Sequence, residues 1–230
     1  MSTVLLVRHG LTAMTGPVLA GRTPGVHLDD RGQQQATALA ERLAAVPLAA
    51  IVTSPLERCV ETAEAIRDKQ SGTPAWHVEE QLIECGYGDW TGRPLKELVK
   101  DPLWKVVQSQ PSAVRFPGGE GLADMATRAV ASIRRWDAEL GDVVWVACTH
   151  GDIIKAVLAD ALGLHLDQYQ RIVPDPASVS VIRYTSTRPY VLRVNDTGGD
   201  LAAFAPPKRR RRKATSEDAT VGGGAGDGTV

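Results

Sequence analysis

Short runs of consecutive apolar residues alternate along this chain with longer segments in which apolar residues recur every three or four positions. The first pattern is typical of buried strands and the second of amphipathic helices. The predicted strands are residues 4–7, 50–53, 76–78, 143–148, 178–184 and 189–194. The predicted helices are residues 30–46, 56–69, 122–140 and 152–162. This alternation predicts an α/β fold, namely a three-layer α/β/α sandwich with a mostly parallel central sheet.

The length and composition predict one folded domain followed by a tail. A chain of 230 residues with 43% hydrophobic residues is long enough to bury one substantial core. From residue 205 the apolar periodicity stops, and the sequence becomes basic at 208–213 and then glycine-rich. We therefore predict a domain over 1–204 and a disordered tail over 205–230.

Charge and cysteine content predict a cytoplasmic protein. The net charge of -1 gives no global reason to expect nucleic acid or a membrane as a partner. Cys59, Cys85 and Cys148 are widely spaced and lack the spacing of a metal site, which favours a reducing compartment. Neither a signal peptide nor an apolar stretch of membrane-spanning length is evident. Abundant Ala, Gly, Val and Arg with a single asparagine indicates a high-GC bacterium, such as an actinobacterium.

Two of the apolar runs end in the same dipeptide, histidine followed by glycine. VLLVRHG delivers His9 to the end of the first predicted strand, and VVWVACTHGD delivers His150 to the end of the fourth. In open α/β sheets, ligands bind outside the carboxyl ends of the strands. The two histidines therefore define one candidate site.

Four segments together resemble one protein family. They are LLVRHGLT, SPLERCVETA, LIECGYGDWTG and CTHGD, and they are accompanied by LDDRGQQQA and FPGGEG. In this combination and order they resemble the histidine phosphatase superfamily, which is also called phosphoglycerate mutase-like, over residues 3–195. The resemblance implies a phosphoglycerate mutase-like fold and an enzyme that transfers phosphoryl groups.

The resemblance also assigns catalytic roles. His9 is the expected nucleophile, Arg8, Arg58 and His150 are expected to hold the phosphoryl group, and Glu84 is expected to protonate the leaving oxygen. These roles are chemically sound, because a neutral histidine attacks through one ring nitrogen and arginine matches phosphate oxygens in bidentate fashion. We expect the two arginines to lower the pKa of His9, and burial to raise that of Glu84.

Other positions carry weaker expectations. Gly10 and Gly151 are expected to let the backbone approach the phosphate, so Gly151 is a predicted phosphate contact. Thr15 stands where family members often have asparagine, and is expected to donate one hydrogen bond to phosphate. Lys155 stands where an arginine often follows the second His-Gly, a departure that leaves the substrate open.

The segment after Glu84 favours the phosphatase branch over the mutase branch. ECGYGDWTG differs from the R-H-Y-G-x-L-x-G pattern that is usual in the mutases. Residues 93–120 are expected to form a lid, with an apolar wall made by Leu103, Trp104, Val107 and Phe116. We therefore expect hydrolysis of a small phosphorylated metabolite that has an uncharged or apolar part, with no cofactor and no metal.

Three alternatives remain open at this stage. One is a phosphomutase of the phosphoglycerate mutase type. A second is nucleic-acid binding through the basic run 208–213. A third is a phosphate-binding protein without catalysis. The resemblance leaves a homodimer open.

Overall fold

A computed structural model of the protein describes residues 2–198, so the predicted tail 205–230 lies outside the described residues. The six strands are β1 Ser2–Arg8, β2 Ala50–Thr53, β3 Ala75–Val78, β4 Val144–Thr149, β5 Val179–Tyr184 and β6 Pro189–Asp196. The six helices are α1 Asp30–Leu43, α2 Glu57–Asp68, α3 Leu95–Leu98, α4 Pro102–Ser109, α5 Leu122–Leu140 and α6 Gly151–Ala161. Short 3₁₀ turns are formed by Glu80–Leu82, Gly88–Trp90, Pro111–Ala113 and Leu166–Arg171.

The strands form a single mixed sheet in the order β3-β2-β4-β1-β5-β6. The first four of these strands are parallel, while β5 and β6 continue the sheet in antiparallel orientation. Helices cover both faces of the sheet. The predicted three-layer α/β/α architecture is therefore confirmed.

Alternation along the central strands separates two apolar layers. In β1, Val4 and Leu6 belong to the core that α5 and α6 complete, whereas Leu5 and Val7 belong to the core beneath α1 and α2. Successive side chains of a strand point to opposite faces, so a continuous apolar run is what a sheet covered on both sides requires. All four of these side chains are nearly or fully inaccessible to solvent.

The segment between Glu84 and α5 forms two helices, α3 and α4, that the sequence pattern did not predict as helices. Asp101 caps the start of α4, where its side chain accepts a hydrogen bond from the Leu103 amide at 2.9 Å, and proline follows it at the first helical position. The apolar face of α4 turns into the core, where the Trp104 ring stacks on Trp90 with 6.2 Å between centroids. No helix within residues 2–198 is long and apolar enough to cross a membrane.

Three neighbouring parallel strands end at the same edge of the sheet. In the order β2-β4-β1, the register pairs Thr53 with Cys148, and Thr149 with Arg8. The residues that follow these strand ends are Ser54, His150 and His9. The topology therefore brings the two histidines together, as the sequence predicts.

Candidate active site

A small pocket opens at this sheet edge, and we refer to it as the strand-end cavity. It is lined by residues from the loop after β1, from α2, from the loop after β3 and from α3. Five of the residues predicted for the site line it, namely Arg8, His9, Thr15, Arg58 and Glu84.

His9 is held in the tautomer that a nucleophile needs. Its Nδ1 lies 2.7 Å from the Gly10 carbonyl oxygen, which accepts a hydrogen bond from it, so the lone pair is on Nε2. That Nε2 accepts a hydrogen bond from Nε of Arg58 at 3.3 Å. Burial, followed by the charges of Arg58 and Arg8, holds the pKa of His9 well below its usual value. The expected direction is confirmed, with burial as the larger cause.

Two buried guanidinium groups flank this histidine. Arg8 donates from Nη1 to the Pro174 carbonyl oxygen at 2.9 Å, and Arg58 donates from Nη2 to that of Gly21 at 2.8 Å. Burial lowers the pKa of Arg8. Nη1 of Arg58 is buried and has no hydrogen-bond partner among the described residues. A buried donor of this kind lacks an acceptor, and a phosphate oxygen would supply one.

Glu84 is a buried carboxyl group whose proton is retained up to neutral pH. Its Oε1 accepts a hydrogen bond from the Cys85 amide at 2.9 Å. Burial, followed by the charge of Asp152, raises the pKa of Glu84 to about 7, against the opposing effects of the Cys85 amide hydrogen bond, Arg58 and Arg8. The predicted rise is confirmed, but the contribution of Asp152 was not foreseen.

The backbone at Glu84 is fixed by two arginines that the sequence reading missed. The Glu84 carbonyl oxygen accepts hydrogen bonds from Arg22 Nε at 2.7 Å and from Arg128 Nη2 at 3.2 Å. Both arginines also pair with Glu120, whose Oε2 accepts from the Gly86 amide at 3.1 Å. Glu120 lies in the FPGGEG segment that accompanies the family motifs, so this segment could have indicated that Glu120 helps to fix the Glu84 backbone.

His150 is fully buried behind the cavity, against His9 and Arg58. Its ring centroid lies 5.3 Å from that of His9, and its Nδ1 lies 3.3 Å from Arg58 Nη2. Its Nε2 lies 2.7 Å from the Ser54 hydroxyl oxygen. Burial and the Arg58 charge hold the pKa of His150 well below its usual value. Ser54 was missed as a site residue, although it follows β2 as His9 follows β1.

The predicted phosphate contacts differ in their placement. Thr15 lines the cavity, and its hydroxyl oxygen accepts from the Thr12 amide at 3.1 Å. His150 and Gly151, the latter the first residue of α6, do not line the cavity, so phosphate contact at either stays a prediction. The glycine at position 10 is explained by packing rather than by phosphate contact, because an added Cβ there would lie 2.6 Å from the Gly32 carbonyl oxygen.

Residues 93–120 were predicted to form an apolar wall of the site through four named side chains, and this choice of side chains is wrong. None of the four predicted side chains lines the cavity, because the helix that carries most of them packs into the core: Leu103, Trp104, Val107 and Phe116. The apolar lining comes mainly from the loop after β1, and the predicted segment contributes through α3: Val18, Leu19, Ala20 and Leu95.

The cysteines are buried free thiols, and burial raises the pKa of Cys85 far above its usual value. This agrees with a structural role for Cys85 beside Glu84. Within residues 2–198 no group of three or more His, Cys, Asp or Glu side chains is placed to hold a metal ion.

Residues 4–197 match the family model described as histidine phosphatase superfamily (branch 1). The chain belongs to the histidine phosphatase superfamily. This histidine phosphatase is 30% identical over 203 residues to phosphoserine phosphatase 1 of Hydrogenobacter thermophilus, covering 86% of this chain and 93% of the relative. It is 31% identical over 175 residues to glucosyl-3-phosphoglycerate phosphatase of Mycolicibacterium vanbaalenii, covering 72% and 76% of the two chains.

Among solved structures, YhfR of Bacillus stearothermophilus superimposes on this histidine phosphatase with a TM-score of 0.76 at 28% identity, covering 85% of this chain and 98% of YhfR. The family membership confirms the predicted resemblance, and the phosphatase relatives support a phosphomonoester hydrolase of the histidine phosphatase type. The mycobacterial relative agrees with the actinobacterial origin that the composition indicates.

Proposed function

We propose that the protein hydrolyses small phosphomonoesters, without a metal or an organic cofactor, through a phosphohistidine at His9. One observation carries the proposal. A neutral histidine with its lone pair on Nε2 and a carboxyl group that stays protonated up to about pH 7 line the same buried cavity. A nucleophile and an acid with these protonation states are the two groups that cleavage of a phosphate ester requires.

In the first step, Nε2 of His9 attacks the phosphorus atom. The Nε2–P bond forms while the bond from phosphorus to the ester oxygen breaks. The proton of Glu84 moves to that leaving oxygen, so the product departs as a neutral alcohol. The hydrogen bond from His9 Nδ1 to the Gly10 carbonyl oxygen keeps the ring oriented and stabilises the positive charge that develops on it.

In the second step, a water molecule attacks the phosphohistidine. Glu84, now ionised, takes a proton from this water as the new O–P bond forms and the Nε2–P bond breaks. Inorganic phosphate leaves, and both His9 and Glu84 return to their starting protonation states.

Arg8 and Arg58 supply the positive charge that the transferring phosphoryl group needs. Both are nearly inaccessible to solvent, so their electrostatic effect is stronger than it would be in water. Arg58 donates from Nε to His9 in this structure, and its buried Nη1 is available to a phosphate oxygen. His150, fixed by Ser54, holds Arg58 and the His9 ring from behind.

A direct test is hydrolysis of p-nitrophenyl phosphate in the presence of EDTA. We expect the wild type to be active with the chelator, and His9→Ala to lose at least about a thousandfold in kcat/KM. The exposed histidine variant His165→Ala is the matched control and should retain wild-type activity. Activity that EDTA abolishes, or that survives in His9→Ala, would contradict the proposal.

The cavity favours substrates whose non-phosphate part carries no negative charge. The only cationic side chains among its described lining residues are Arg8 and Arg58, which are assigned to the phosphate, and the remaining lining includes Leu19 and Leu95. A second anionic group would lose its hydration without gaining a partner, which costs about 1–3 kcal/mol.

Glycerol 3-phosphate and 3-phosphoglycerate test this preference, because they differ in a hydroxymethyl group against a carboxylate. We expect kcat/KM to be about tenfold higher for glycerol 3-phosphate. Leu95→Lys, which places a cation in the lining, should narrow or reverse the ratio, whereas the exposed variant Val99→Lys should leave it unchanged. A wild-type preference for 3-phosphoglycerate, or its isomerisation faster than its hydrolysis, would contradict the preference.

A further inference from the structure

A buried polar network lies behind the loop that carries Glu84, and Asp152 is at its centre. Asp152, the second residue of α6, is fully inaccessible to solvent. Its Oδ2 accepts a hydrogen bond from the Tyr87 hydroxyl at 2.7 Å, and its Oδ1 lies 3.2 Å from the Lys155 ammonium nitrogen. The cation and the N-terminal end of α6 both favour a negative charge at this place.

Lys155 is held in turn by the 3₁₀ turn Leu166–Arg171. It is 2% exposed, and its Nζ donates to Oε1 of Gln170 at 3.0 Å. Gln170 donates from Nε2 to the Val107 carbonyl oxygen at 3.3 Å. A buried cation with two fixed partners cannot move away from Asp152 without leaving its own charge uncompensated, so the position of the pair is rigid.

Tyr87 connects this pair to the strand-end cavity. It lines the cavity together with Glu84, three residues earlier in the same loop, and its ring packs edge-on against Phe116 at 5.1 Å. Burial raises the pKa of the Tyr87 hydroxyl well above its usual value, which keeps it a neutral donor. One aromatic ring therefore links α6 to the loop of the proposed acid.

We propose that Asp152 is a positioning residue for the acid step: it anchors Tyr87, and with it the loop of Glu84, and places a buried negative charge beside that loop. This inference rests on the proposed role of Glu84 as proton donor. It assigns a function to a buried charge that neither attacks the substrate nor lines the cavity. It also explains how Glu84 retains a proton although two arginines, Arg8 and Arg58, act against it.

The charge balance around Glu84 supports this assignment. The titratable or charged groups around it come from β1 and its following loop, α2, α5, α6, the loops of Glu84 and Glu120 and the last 3₁₀ turn: Arg8, His9, Arg22, Arg58, Cys85, Tyr87, Glu120, Arg128, Asp152 and Tyr169. Asp152 and Glu120 are the carboxylates in this described set, and Glu120 is paired with Arg22 and Arg128. After burial, the charge of Asp152 is the largest influence that raises the pKa of Glu84.

The test compares kcat/KM at about pH 5 and about pH 8 for phenyl phosphate, whose leaving group needs a proton, and for p-nitrophenyl phosphate, whose leaving group does not. Asp152→Asn keeps an oxygen acceptor for the Tyr87 hydroxyl but removes the charge. We expect its kcat/KM for phenyl phosphate to fall about tenfold at about pH 8 and less than about threefold at about pH 5. Its kcat/KM for p-nitrophenyl phosphate should change less than about threefold at either pH.

Asp152→Asn leaves Lys155 without its counter-charge, so Asp152→Asn/Lys155→Gln provides a second variant with a neutral network. It should show the same pH-selective loss. Asp160→Asn, which removes a carboxylate from an exposed ion pair of the same helix with Arg134, is the control and should behave as wild type. A loss of the same size at both pH values and on both substrates would overturn the inference, because a merely structural role predicts that.

If the proposed function itself is wrong, the pH dependence of the Glu84 and Asp152 variants differs in another way. If Glu84 is not the acid, Glu84→Gln retains the wild-type pH dependence on phenyl phosphate. If Glu84 is the acid but Asp152 does not hold its proton, Glu84→Gln loses that dependence while both Asp152 variants keep it.

Discussion

At the residue scale, the proposed chemistry depends on two groups whose burial gives them the protonation states they need. Burial disfavours the charged form of each, so His9 stays neutral into the acid range and Glu84 keeps its proton up to about pH 7. Asp152 raises the pKa of Glu84 further, while Arg58 and Arg8 lower that of His9. The same arginines thus help His9 and oppose Glu84.

This arrangement predicts the pH profile of the wild type. We expect kcat/KM for phenyl phosphate to fall as the pH rises through about 7, because Glu84 then loses its proton. On the acid side the activity should persist well below the usual pKa of histidine, because His9 remains neutral there. A profile that rises from neutral to alkaline pH would contradict both assignments.

Replacing the acid predicts a leaving-group effect. Glu84→Gln cannot donate a proton, so kcat/KM for phenyl phosphate should fall about a hundredfold, and for p-nitrophenyl phosphate less than about tenfold. Steady-state kinetics on the two esters gives the comparison. Glu80→Gln, at an exposed glutamate nearby, should match wild type on both. Equal losses of the Glu84 variant on the two esters would count against an acid role.

Ionisation of the Glu84 carboxyl group should lower the free energy of unfolding at alkaline pH. A folded-state pKa raised from 4.5 to about 7 stabilises the native state below the unfolded value, and that contribution is lost as the pH rises through about 7. The free energy of unfolding of Glu84→Gln, measured relative to that of the wild type, should therefore rise by about 3 kcal/mol from about pH 4 to about pH 8. Urea unfolding at the two pH values measures this, and a pH-independent difference would be inconsistent with it.

At the element scale, the site depends on close approach between the loop after β1 and helix α1. An added Cβ at Gly32 would lie 2.0 Å from the Leu11 carbonyl oxygen, and Leu11 is two residues from His9. Asp29 caps the same helix by accepting a hydrogen bond from the Gly32 amide at 2.8 Å. The start of α1 thus fixes the backbone that carries His9, the proposed nucleophile.

Gly32→Ala tests this contact. Helix propensity alone would favour alanine by about 1 kcal/mol, but the obstructing atoms are backbone and cannot rotate away. We expect a net loss of about 1–3 kcal/mol in unfolding free energy, together with reduced activity. Gly72→Ala, where an added Cβ meets nothing within 4 Å, is the control. An equally stable Gly32→Ala would show that the loop and helix are not so tightly packed.

The elements that the sequence predicted best are those with a strong local pattern. Helix α5 has the predicted bounds, 122–140, because its apolar stripe is long, and β2 has the predicted bounds, 50–53. Helix α4 was missed although Asp101 and Pro102 provide a start signal, because its few turns were taken for a lid. Its apolar residues face the core rather than the cavity, and a hydrophobic pattern alone does not distinguish these two environments.

The residues of the candidate site likewise divide into those that the sequence predicts and those that it does not. His9 and His150 could be placed together from the sequence, because parallel strands end at one edge of the sheet. The partners Ser54 and Asp152 were missed, since their roles depend on which way a side chain points across the fold. Motif spacing points to the residues that we propose to react, and the three-dimensional packing reveals what sets their protonation.

At the scale of the whole molecule, one edge of the sheet brings the residues of the candidate site together. Strands β1 and β4 deliver the histidines, α2 delivers Arg58, and α6 places Asp152 behind the acid. The chain matches its family over 4–197, which is nearly all of the described range. The run at 208–213 lies outside the described residues, so nucleic-acid binding through it stays an open alternative.

The most direct test of the central claim is to trap the covalent intermediate. The wild type would be mixed with ³²P-labelled phenyl phosphate in EDTA, denatured within one turnover and analysed for labelled peptides. We predict an acid-labile, base-stable phosphoryl group on His9, absent from His9→Ala and present in the exposed control His165→Ala. Hydrolysis of the ester with no phosphohistidine formed, or with the label on another residue, would contradict the proposed mechanism.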